Sequence, residues 1–300
     1  MYKMKYLPNR VRLIVDNHFT KQPDLKKSSR VKYNDQLSTY YDAEKQRLHV
    51  HKNNRRKDGV QAMYFDHSNG IVRTLTSNPV KFYDLQRYAT PRECADYHGF
   101  PQHFILPRTR HVNLFGNAIS VPVAHHVLEI LSAHGKANTM IDLCSGIGGF
   151  HFAAEQVFPG ITCLGFSDIK KAAIECYQDN FPNVPALGDL RKACIPKADL
   201  LCSGFPCQPF SVSNRRIGEH KLIGMYKYVI AAIRASDAKY VVLENVVQLL
   251  KHEIFQEIKD TLVSMGYTFQ HQVFNSKDFG LRQDRKRVYM YAWKRDKIIK

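Results

Sequence analysis

TMIDLCSGIGGFHFAAEQVF, residues 139–158, joins an apolar run to a glycine-rich turn and then to a helical pattern. The run 139–145 is typical of a buried strand, and 149–158 is typical of a helix. A strand, a turn and a helix in this order form one unit of an α/β sheet. Small residues in the turn let the backbone approach a ligand, and the start of a helix favours an anionic group.

The alternation of strand and helix patterns continues along the chain. Strand patterns lie at ITCLGFSD (161–168), ADLLCSG (198–204) and YVVLENV (240–246), and each is followed by a helical pattern. TFQHQVFN (268–275) and RVYMYAW (287–293) close the predicted sheet. Repeated units of this kind predict an α/β fold with a doubly wound, mostly parallel sheet. Ligands bind such sheets at the carboxyl ends of the strands.

Residues 1–80 have a different character and predict a small, irregular β-rich unit. Short β-like runs alternate there with turn material such as KNNRRKDG (52–59). The segment contains 16 Lys and Arg against 7 Asp and Glu, about half of the chain's net charge of +17. The isoelectric point is about 9.5. An excess of this size favours a polyanionic partner, and a solubilising surface is the alternative.

The cysteine pattern and the lengths of the apolar runs indicate in which cellular compartment the protein works. Seven cysteines, an odd number with no C-x-x-C pair, argue for a reducing compartment and against a disulfide framework or a zinc site. No run reaches the roughly 18 apolar residues of a membrane span, and the first residues lack a signal-peptide pattern. We therefore expect a cytoplasmic protein with no metal and no membrane contact.

Two acids follow predicted strands, Asp168 in FSD (166–168) and Asp189 in GDL (188–190). An acid at such a point is placed to bind ribose hydroxyls, although each could instead close a turn. The glycine-rich turn lacks a complete G-x-G-x-x-G pattern, because His151 stands at the place of the third glycine. A dehydrogenase interpretation is therefore weak.

GFPCQPFS (204–211) follows another predicted strand and places Cys207 between Pro206 and Pro209. An ionised cysteine is a strong nucleophile, and the prolines limit the conformations of the turn. The alternative is a buried cysteine in a rigid loop.

Charged residues stand at two further strand ends. Glu244 and Asn245 end an apolar strand, where partial desolvation would raise the pKa of the carboxyl group and allow it to donate a proton. A helix cap is the alternative for this pair. Gln283, Arg285 and Arg287 alternate into the last strand and therefore share one face. The alternative for these three is a solvated basic edge.

Taken in order, these motifs resemble those of the cytosine-5 DNA methyltransferase family, which uses S-adenosylmethionine. DLCSGIGGF, GFPCQPFS, ENV and QDRKRV are similar to its cofactor-loop, nucleophile, carboxylate and arginine motifs. Upstream, TPRECADYHGFP (90–101) and GNAISVPV (116–123) resemble its last two motifs, and GIVRTLTSN (70–78) resembles the end of its target-recognition region. The resemblance covers roughly residues 70–292. It implies the Rossmann-like fold of class I methyltransferases with a small, irregular β-rich target-recognition domain.

The order of the motifs departs from the family. The two motifs that usually come last precede the cofactor loop here, which indicates a circular permutation joined at LSAHGKAN (131–138). Permutation is tolerated where the old termini lie close together, so residue 300 is predicted to lie near residue 1. We expect a target-recognition domain over 1–112, including the Arg-Glu helix, and a catalytic domain over 113–300.

The resemblance implies a site-specific DNA methyltransferase of a restriction–modification system. The target cytosine is flipped out of the duplex, Cys207 attacks its C6, and Glu244 binds the N3 and amine edge. The C5 atom then takes the methyl group, the C5 proton leaves, and the thiolate is released. Arg287 would contact the cytosine O2, Arg285 would support Glu244 or meet the phosphate backbone, and Asn245 would hold the carboxylate loop.

The resemblance also assigns binding residues. The implied cofactor-binding residues are Cys144, Ser145, Gly146, Ile147, Gly149, Asp168, Ile169, Asp189, Leu190 and Asn117. The implied DNA-binding residues are Gln208, Ser211, Ser213, Arg215 and Thr74. Two positions depart from the family, since Ile169 stands where a tryptophan is frequent and Cys144 where a phenylalanine is common.

The expected partner is double-stranded DNA, bound by a monomer. A tRNA cytosine-5 methyltransferase on the same scaffold is one alternative, although no cysteine precedes Cys94 to supply that branch's Cys-Phe-Thr signature. An enzyme acting on exocyclic amines would need a Pro-Pro-aromatic turn in place of Phe-Pro-Cys. A catalytically inactive DNA-binding regulator is the third alternative.

Overall fold

The structure is a computed structural model of the chain, and its described parts cover the sheet and the helices. It describes residues 29–33, 37–42, 47–52, 63–65, 71–76, 80–82, 87–109, 111–206 and 224–294.

Short strands fill the described part of the first 88 residues, as the sequence predicts. They are β1 (Ser29–Tyr33), β2 (Leu37–Asp42), β3 (Arg47–Lys52), β4 (Met63–Phe65), β5 (Val72–Arg73), β6 (Val80–Phe82) and β7 (Arg87–Tyr88). β1, β2 and β3 form an antiparallel sheet, and β4, β6 and β7 form a second sheet. The β-like run VRLIV (11–15) lies outside the described residues.

The main sheet has six strands in the order β12-β14-β11-β10-β8-β9. Their bounds are β8 (Thr139–Leu143), β9 (Thr162–Ser167), β10 (Leu200–Ser203), β11 (Tyr240–Asn245), β12 (Tyr267–Asn275) and β14 (Lys286–Lys294). β8 to β11 run parallel, whereas β14 runs antiparallel to both of its neighbours. The expectation of a mostly parallel sheet is confirmed. The short β13 (Gln283–Asp284) leaves this sheet and pairs with β5.

Helices cover both faces of the main sheet. They are α1 (Pro91–Asp96), α2 (His111–Gly116), α3 (Val121–Ser132), α4 (Gly149–Val157), α5 (Lys171–Asn180), α6 (Met225–Ser236) and α7 (Glu253–Ser264). Successive strand residues point to opposite faces. Met140 therefore joins the core under α2 to α5, whereas Ile141 joins the core under α6 and α7. The doubly wound arrangement is confirmed.

The ends of two helices test local sequence signals. The pattern TPRE (90–93) predicts a helix start, and Thr90 caps α1 in a reciprocal capping box with Glu93 while Pro91 takes the first helical position. The pattern SVPVAHHVLEILSAHG (120–135) predicts a helix that ends at Gly135, whereas α3 ends at Ser132. The chain leaves the helix there and turns through Gly135, whose φ of 126° suits glycine.

By length and composition alone, the helical segment 111–132 could cross a membrane. A turn at residues 117–120 divides it into α2 and α3. Side chains of the segment, such as Leu114, Val127 and Leu131, are buried in the core. We therefore describe α2 and α3 as core helices.

Residues after β7 pack against the large sheet layer. The rings of Phe100 and Phe104 lie 5.8 and 5.7 Å from the ring of Phe152 in α4. This part of the predicted recognition domain thus shares a core with the catalytic part. The boundary at residue 112 stays a prediction.

The loop 133–138 connects α3 directly to β8, at the predicted joint of the permutation. His134 stacks on Trp293 of β14 at a centroid distance of 4.2 Å. Asp199 accepts hydrogen bonds from the backbone N–H groups of Asn138 (2.7 Å) and Thr139 (3.0 Å), and from the Thr139 hydroxyl (3.1 Å). Residues 1 and 300 lie outside the described residues, so their predicted proximity stays a prediction.

Asp199→Ala should lower the free energy of unfolding by about 2 kcal/mol, because three donors at the start of β8 lose their acceptor. Urea unfolding followed by circular dichroism measures this change. The control Glu175→Ala removes an exposed carboxylate from α5, and its effect should stay within about 0.5 kcal/mol. Equal effects of the two substitutions would contradict the role of Asp199.

Candidate active site

A cavity of about 210 Å³ lies at the carboxyl ends of β8 to β11. Many residues singled out from the sequence line it: Asn117, Cys144, Gly146, Asp168, Ile169, Asp189, Leu190, Glu244, Arg285 and Arg287. Ser145, Ile147, Gly149 and Asn245 are buried and do not line it. The structure thus places most of the predicted cofactor residues around one space together with the predicted catalytic residues Glu244, Arg285 and Arg287.

Some lining residues were missed by the sequence interpretation. They are Leu114, Ser167, Lys170, Ala173, Arg191, Phe205 and Met225. Phe205 lies within GFPCQPFS and Arg191 directly follows GDL, so both could have been included on that ground. Leu114 and Met225 lie on helices, far along the chain from the motifs they face, and no local pattern indicates them.

The glycine-rich turn needs its small residues for close packing. A Cβ atom on Gly148, whose φ is 85°, would lie 2.8 Å from the Phe181 ring. A Cβ atom on Gly149 would lie 2.8 Å from the Ile119 Cβ atom. Cys144 is a non-glycine residue in the left-handed region, with φ of 51°. Such strain is found where the surrounding structure fixes a functional turn.

Asp168 ties this turn to the end of β9. Its carboxylate accepts hydrogen bonds from the backbone N–H groups of Gly146 (3.0 Å), Ile169 (2.8 Å) and Lys170 (2.9 Å). It lines the cavity, where its implied ribose contact stays a prediction. Ile169 beside it is 62% exposed, which leaves an apolar side chain uncovered at the mouth of the cavity.

Asp189 forms an ion pair with Arg191. The guanidinium Nε and Nη2 atoms lie 2.6 to 3.0 Å from the carboxylate oxygens. Hydrogen bonds from Arg191 lower the pKa of Asp189 to about 2, so the carboxylate is ionised at neutral pH. An amine bound at Asp189, as the resemblance implies, would share this carboxylate with Arg191.

Glu244 is the penultimate residue of β11 and is only 7% exposed. Burial raises the pKa of its carboxyl group, while the charges of Arg287 and Arg285 oppose that rise. The Arg287 Nε atom lies 3.1 Å from Glu244 Oε1. The pKa rise predicted for a carboxyl group at this strand end is confirmed. Glu244 can therefore hold a proton at a pH where an exposed glutamate would lose it.

Asn245 fixes the loop that leads to Cys207. It is fully buried, its Nδ2 donates to the carbonyl of Phe205 (3.1 Å), and its Oδ1 accepts from the N–H of Val246 (2.9 Å). Pro206 lines the cavity, and Cys207 is the next residue.

Several predicted residues lie outside the described part of the chain. They are Cys207, Gln208, Ser211, Ser213 and Arg215.

Four of the described cysteines are unsuited to the nucleophilic role implied for Cys207, because burial raises the pKa of their thiols. Burial raises the pKa of the Cys144 thiol to about 12 and that of Cys163 to about 11. Cys94 and Cys176 also reach a pKa of about 12 through burial. These thiols stay protonated at neutral pH and behave as small buried hydrophobes.

Arg285 is 3% exposed, and its guanidinium donates to backbone carbonyls of Leu75, Gly116 and Ala118. Gln283, beside it, is fully buried. The alternative interpretation of these two residues as part of a solvated basic edge is therefore wrong. Arg285 is too buried to meet a phosphate, and its charge acts on Glu244, where it lowers the pKa.

Thr74 lies in the segment that follows β5, beside Asp284 of β13. Its hydroxyl donates to the Asp284 carbonyl at 2.8 Å. The implied contact of Thr74 with a target phosphate stays a prediction.

A family profile for C-5 cytosine-specific DNA methylases matches residues 6–133 and 138–300. The chain belongs to this family. It is 37% identical over 185 residues to the Type II methyltransferase M.MspI of Moraxella sp, covering 59% of this chain and 44% of that protein. It is 36% identical over 177 residues to M.HhaI of Haemophilus parahaemolyticus, covering 57% and 53%. The chain spans about half the length of the curated relatives it matches.

Among solved structures, this member of the methylase family is similar to the methyltransferase EhMeth of Entamoeba histolytica. The two share 26% identity over 53% of each chain, with a TM-score of 0.44.

Glu244→Gln should gain stability relative to wild type as pH rises through the range above the usual glutamate pKa. The folded wild type holds its Glu244 proton above the pH at which the unfolded chain releases it. Its stability therefore falls with rising pH across that window, by up to about 1.4 kcal/mol for each pKa unit. Urea unfolding at several pH values measures the trend. Glu175→Gln controls for the loss of one carboxyl group, and a gain that shrinks with rising pH would contradict the shift.

Proposed function

We propose that this chain is a DNA cytosine-5 methyltransferase that takes its methyl group from S-adenosylmethionine. The observation that carries the proposal is the single cavity shared by the glycine-rich turn, the strand-end acids and the buried Glu244. Pro206 lines the same cavity, and Cys207 is the residue that follows it in the sequence.

The cavity suits the methyl donor. A Cβ atom placed on Gly146 would meet nothing within 4 Å, so this turn leaves room for a ligand against its backbone. Asp168 and Asp189 offer carboxylates, and Ile169 and Leu190 offer apolar surface. These residues and Asn117 would hold the donor, which supplies an electrophilic methyl group on a sulfonium.

The catalytic residues act on the cytosine ring. The protonated carboxyl group of Glu244 donates to N3 and withdraws electrons from C6, while Arg287 holds that carboxyl group in place. The Cys207 thiolate forms a bond to C6, and the electron pair of the C5–C6 double bond moves to C5. C5 would then take the methyl group as the methyl–sulfur bond of the sulfonium breaks, and S-adenosylhomocysteine would leave with that electron pair. Loss of the C5 proton to a base restores the double bond and expels the thiolate.

Duplex DNA is the proposed substrate. The basic residues of 1–80 would neutralise phosphates and make binding sensitive to salt. Base contacts from the recognition region, whose end includes Thr74, would select the site. The target base must leave the helix to reach Glu244, as in other enzymes that act on bases.

DNA in which 5-fluorocytosine replaces every cytosine tests the chemistry without knowledge of the recognised site. Fluorine at C5 blocks the final elimination, so wild-type protein with S-adenosylmethionine should form a covalent complex that survives denaturing electrophoresis. Cys207→Ser should form none, and the matched variant Cys194→Ser should form as much as wild type. Mass spectrometry of the peptide should place the link on Cys207.

Other outcomes of this experiment discriminate the alternatives. A covalent complex with 5-fluorocytidine tRNA but not with DNA would move the proposal to RNA. DNA binding without any covalent complex would favour an inactive regulator.

We also propose that the chain is a circularly permuted member of the family. The loop 133–138 joins α3 to β8 over only six residues, and the profile match is interrupted within this loop, at 134–137. Both features support a joint between two segments that other members carry in the opposite order.

A reordered chain, with 139–300 first and 1–138 joined behind it, tests this proposal. If residues 300 and 1 lie close together, a Gly/Ser linker of about ten residues, spanning roughly 18 Å, should suffice. The reordered chain should keep a thermal midpoint within about 5 °C of the original. A control chain opened inside α4 should not fold. Folding only with a much longer linker would contradict the predicted proximity.

A further inference from the structure

One buried guanidinium holds two distant parts of the chain. Arg285 Nη1 donates to the carbonyls of Leu75 (3.2 Å) and Gly116 (3.3 Å), and Nη2 donates to the carbonyl of Ala118 (2.9 Å). The residue is 3% exposed. A planar guanidinium has donors in fixed directions, so it sets the relative positions of the carbonyls it binds.

The carbonyls of Gly116 and Ala118 flank Asn117, a wall residue of the proposed donor pocket. Leu114, in the helix α2 that ends at Gly116, lines the same wall. Arg285, which also lines the cavity, therefore fixes this wall through the backbone on both sides of Asn117.

The third carbonyl belongs to the end of the recognition region. Leu75 is 3% exposed, and its N–H donates to the Gln283 side chain at 2.8 Å. The Gln283 amide in turn donates to the Tyr97 carbonyl at 2.8 Å. Gln283 and Arg285 thus hold both backbone polar groups of Leu75.

The pairing of β5 with β13 and the bond from the Thr74 hydroxyl to Asp284 fix the same segment. The segment 71–76 therefore has little freedom to move apart from Arg285.

We infer that Arg285 is a positioning residue that couples the donor pocket to the recognition segment 71–76. The inference rests on the proposed function, which assigns the pocket and the segment their ligands. A shift of the pocket wall moves the guanidinium. Loss of a hydrogen-bond acceptor by a buried guanidinium has a large free-energy cost. The shift is therefore passed to Leu75. By linkage, DNA on the recognition region changes donor affinity by the same factor as the donor changes DNA affinity.

Arg285→Lys tests whether the planar set of guanidinium donors, and not only the positive charge, is needed. Lysine keeps the positive charge near Glu244 but lacks the planar fork that binds three carbonyls. We expect the Kd of S-adenosylhomocysteine, measured by calorimetry without DNA, to rise about tenfold. The tightening of DNA binding that S-adenosylhomocysteine gives to wild type should disappear in the variant. A role confined to the cytosine would leave the affinity without DNA unchanged, and that result would overturn the inference.

Lys286→Met is the matched control. It removes a positive charge from the neighbouring residue, which is exposed, and should leave both the donor affinity and the coupling within about twofold of wild type. An equal loss in this variant would show that the effect is not specific to the Arg285 guanidinium and would overturn the inference.

Hydrogen exchange on the wild type tests the coupling even if Arg285→Lys fails to fold. S-adenosylhomocysteine without DNA should slow amide exchange in peptides covering 114–120 and also in those covering 71–76. Slowing at 114–120 alone would overturn the coupling and leave the proposed function intact. Absence of S-adenosylhomocysteine binding at millimolar concentration would overturn both.

Discussion

The parallel register of three strands sets the geometry of the site. Leu143 of β8, Ser203 of β10 and Leu243 of β11 lie directly beside one another. The next residue of each strand, Cys144, Gly204 or Glu244, therefore emerges at the same edge and lines the same cavity. A Cβ atom on Gly204 would lie 3.8 Å from Glu244 Oε2 and 3.9 Å from the Cys144 carbonyl. A one-residue slip of any strand would turn its terminal side chain to the opposite face.

The position of Glu244 at this edge buries a carboxyl group, and the free-energy cost of its charge determines which residues surround it. Glu244 is buried because its strand is covered on both faces, and burial opposes its charge. Arg287, in the antiparallel neighbour β14, and Arg285, which directly precedes that strand, lower that cost. Each arginine is itself buried or half-buried and needs further acceptors. Arg285 finds them in the carbonyls behind the pocket wall, so burial of one carboxyl group extends into contacts with the recognition region.

The sequence predicts those structural features that depend on residues close together along the chain. Periodicity predicted a helix at 149–158, and α4 spans Gly149–Val157, because burial imposes a regular spacing. The cap at Thr90 was equally local. The partners of Arg285 were not predictable, because Leu75 and Ala118 lie 210 and 167 residues away. The Asp189–Arg191 pair is local, but only the structure shows that the two side chains face each other.

The stacked pair His134–Trp293 has a spectroscopic consequence. Trp293 is the chain's single tryptophan and pairs with Tyr240 at the start of β11, whereas Glu244 lies near the other end of that strand. Four residue steps at about 3.3 Å separate the two ends, roughly 13 Å. The intrinsic indole emission of this protein therefore reports on the far edge of the sheet. It tracks loss of the whole fold and stays nearly silent to a ligand in the cavity, so ligand titrations need an extrinsic fluorophore.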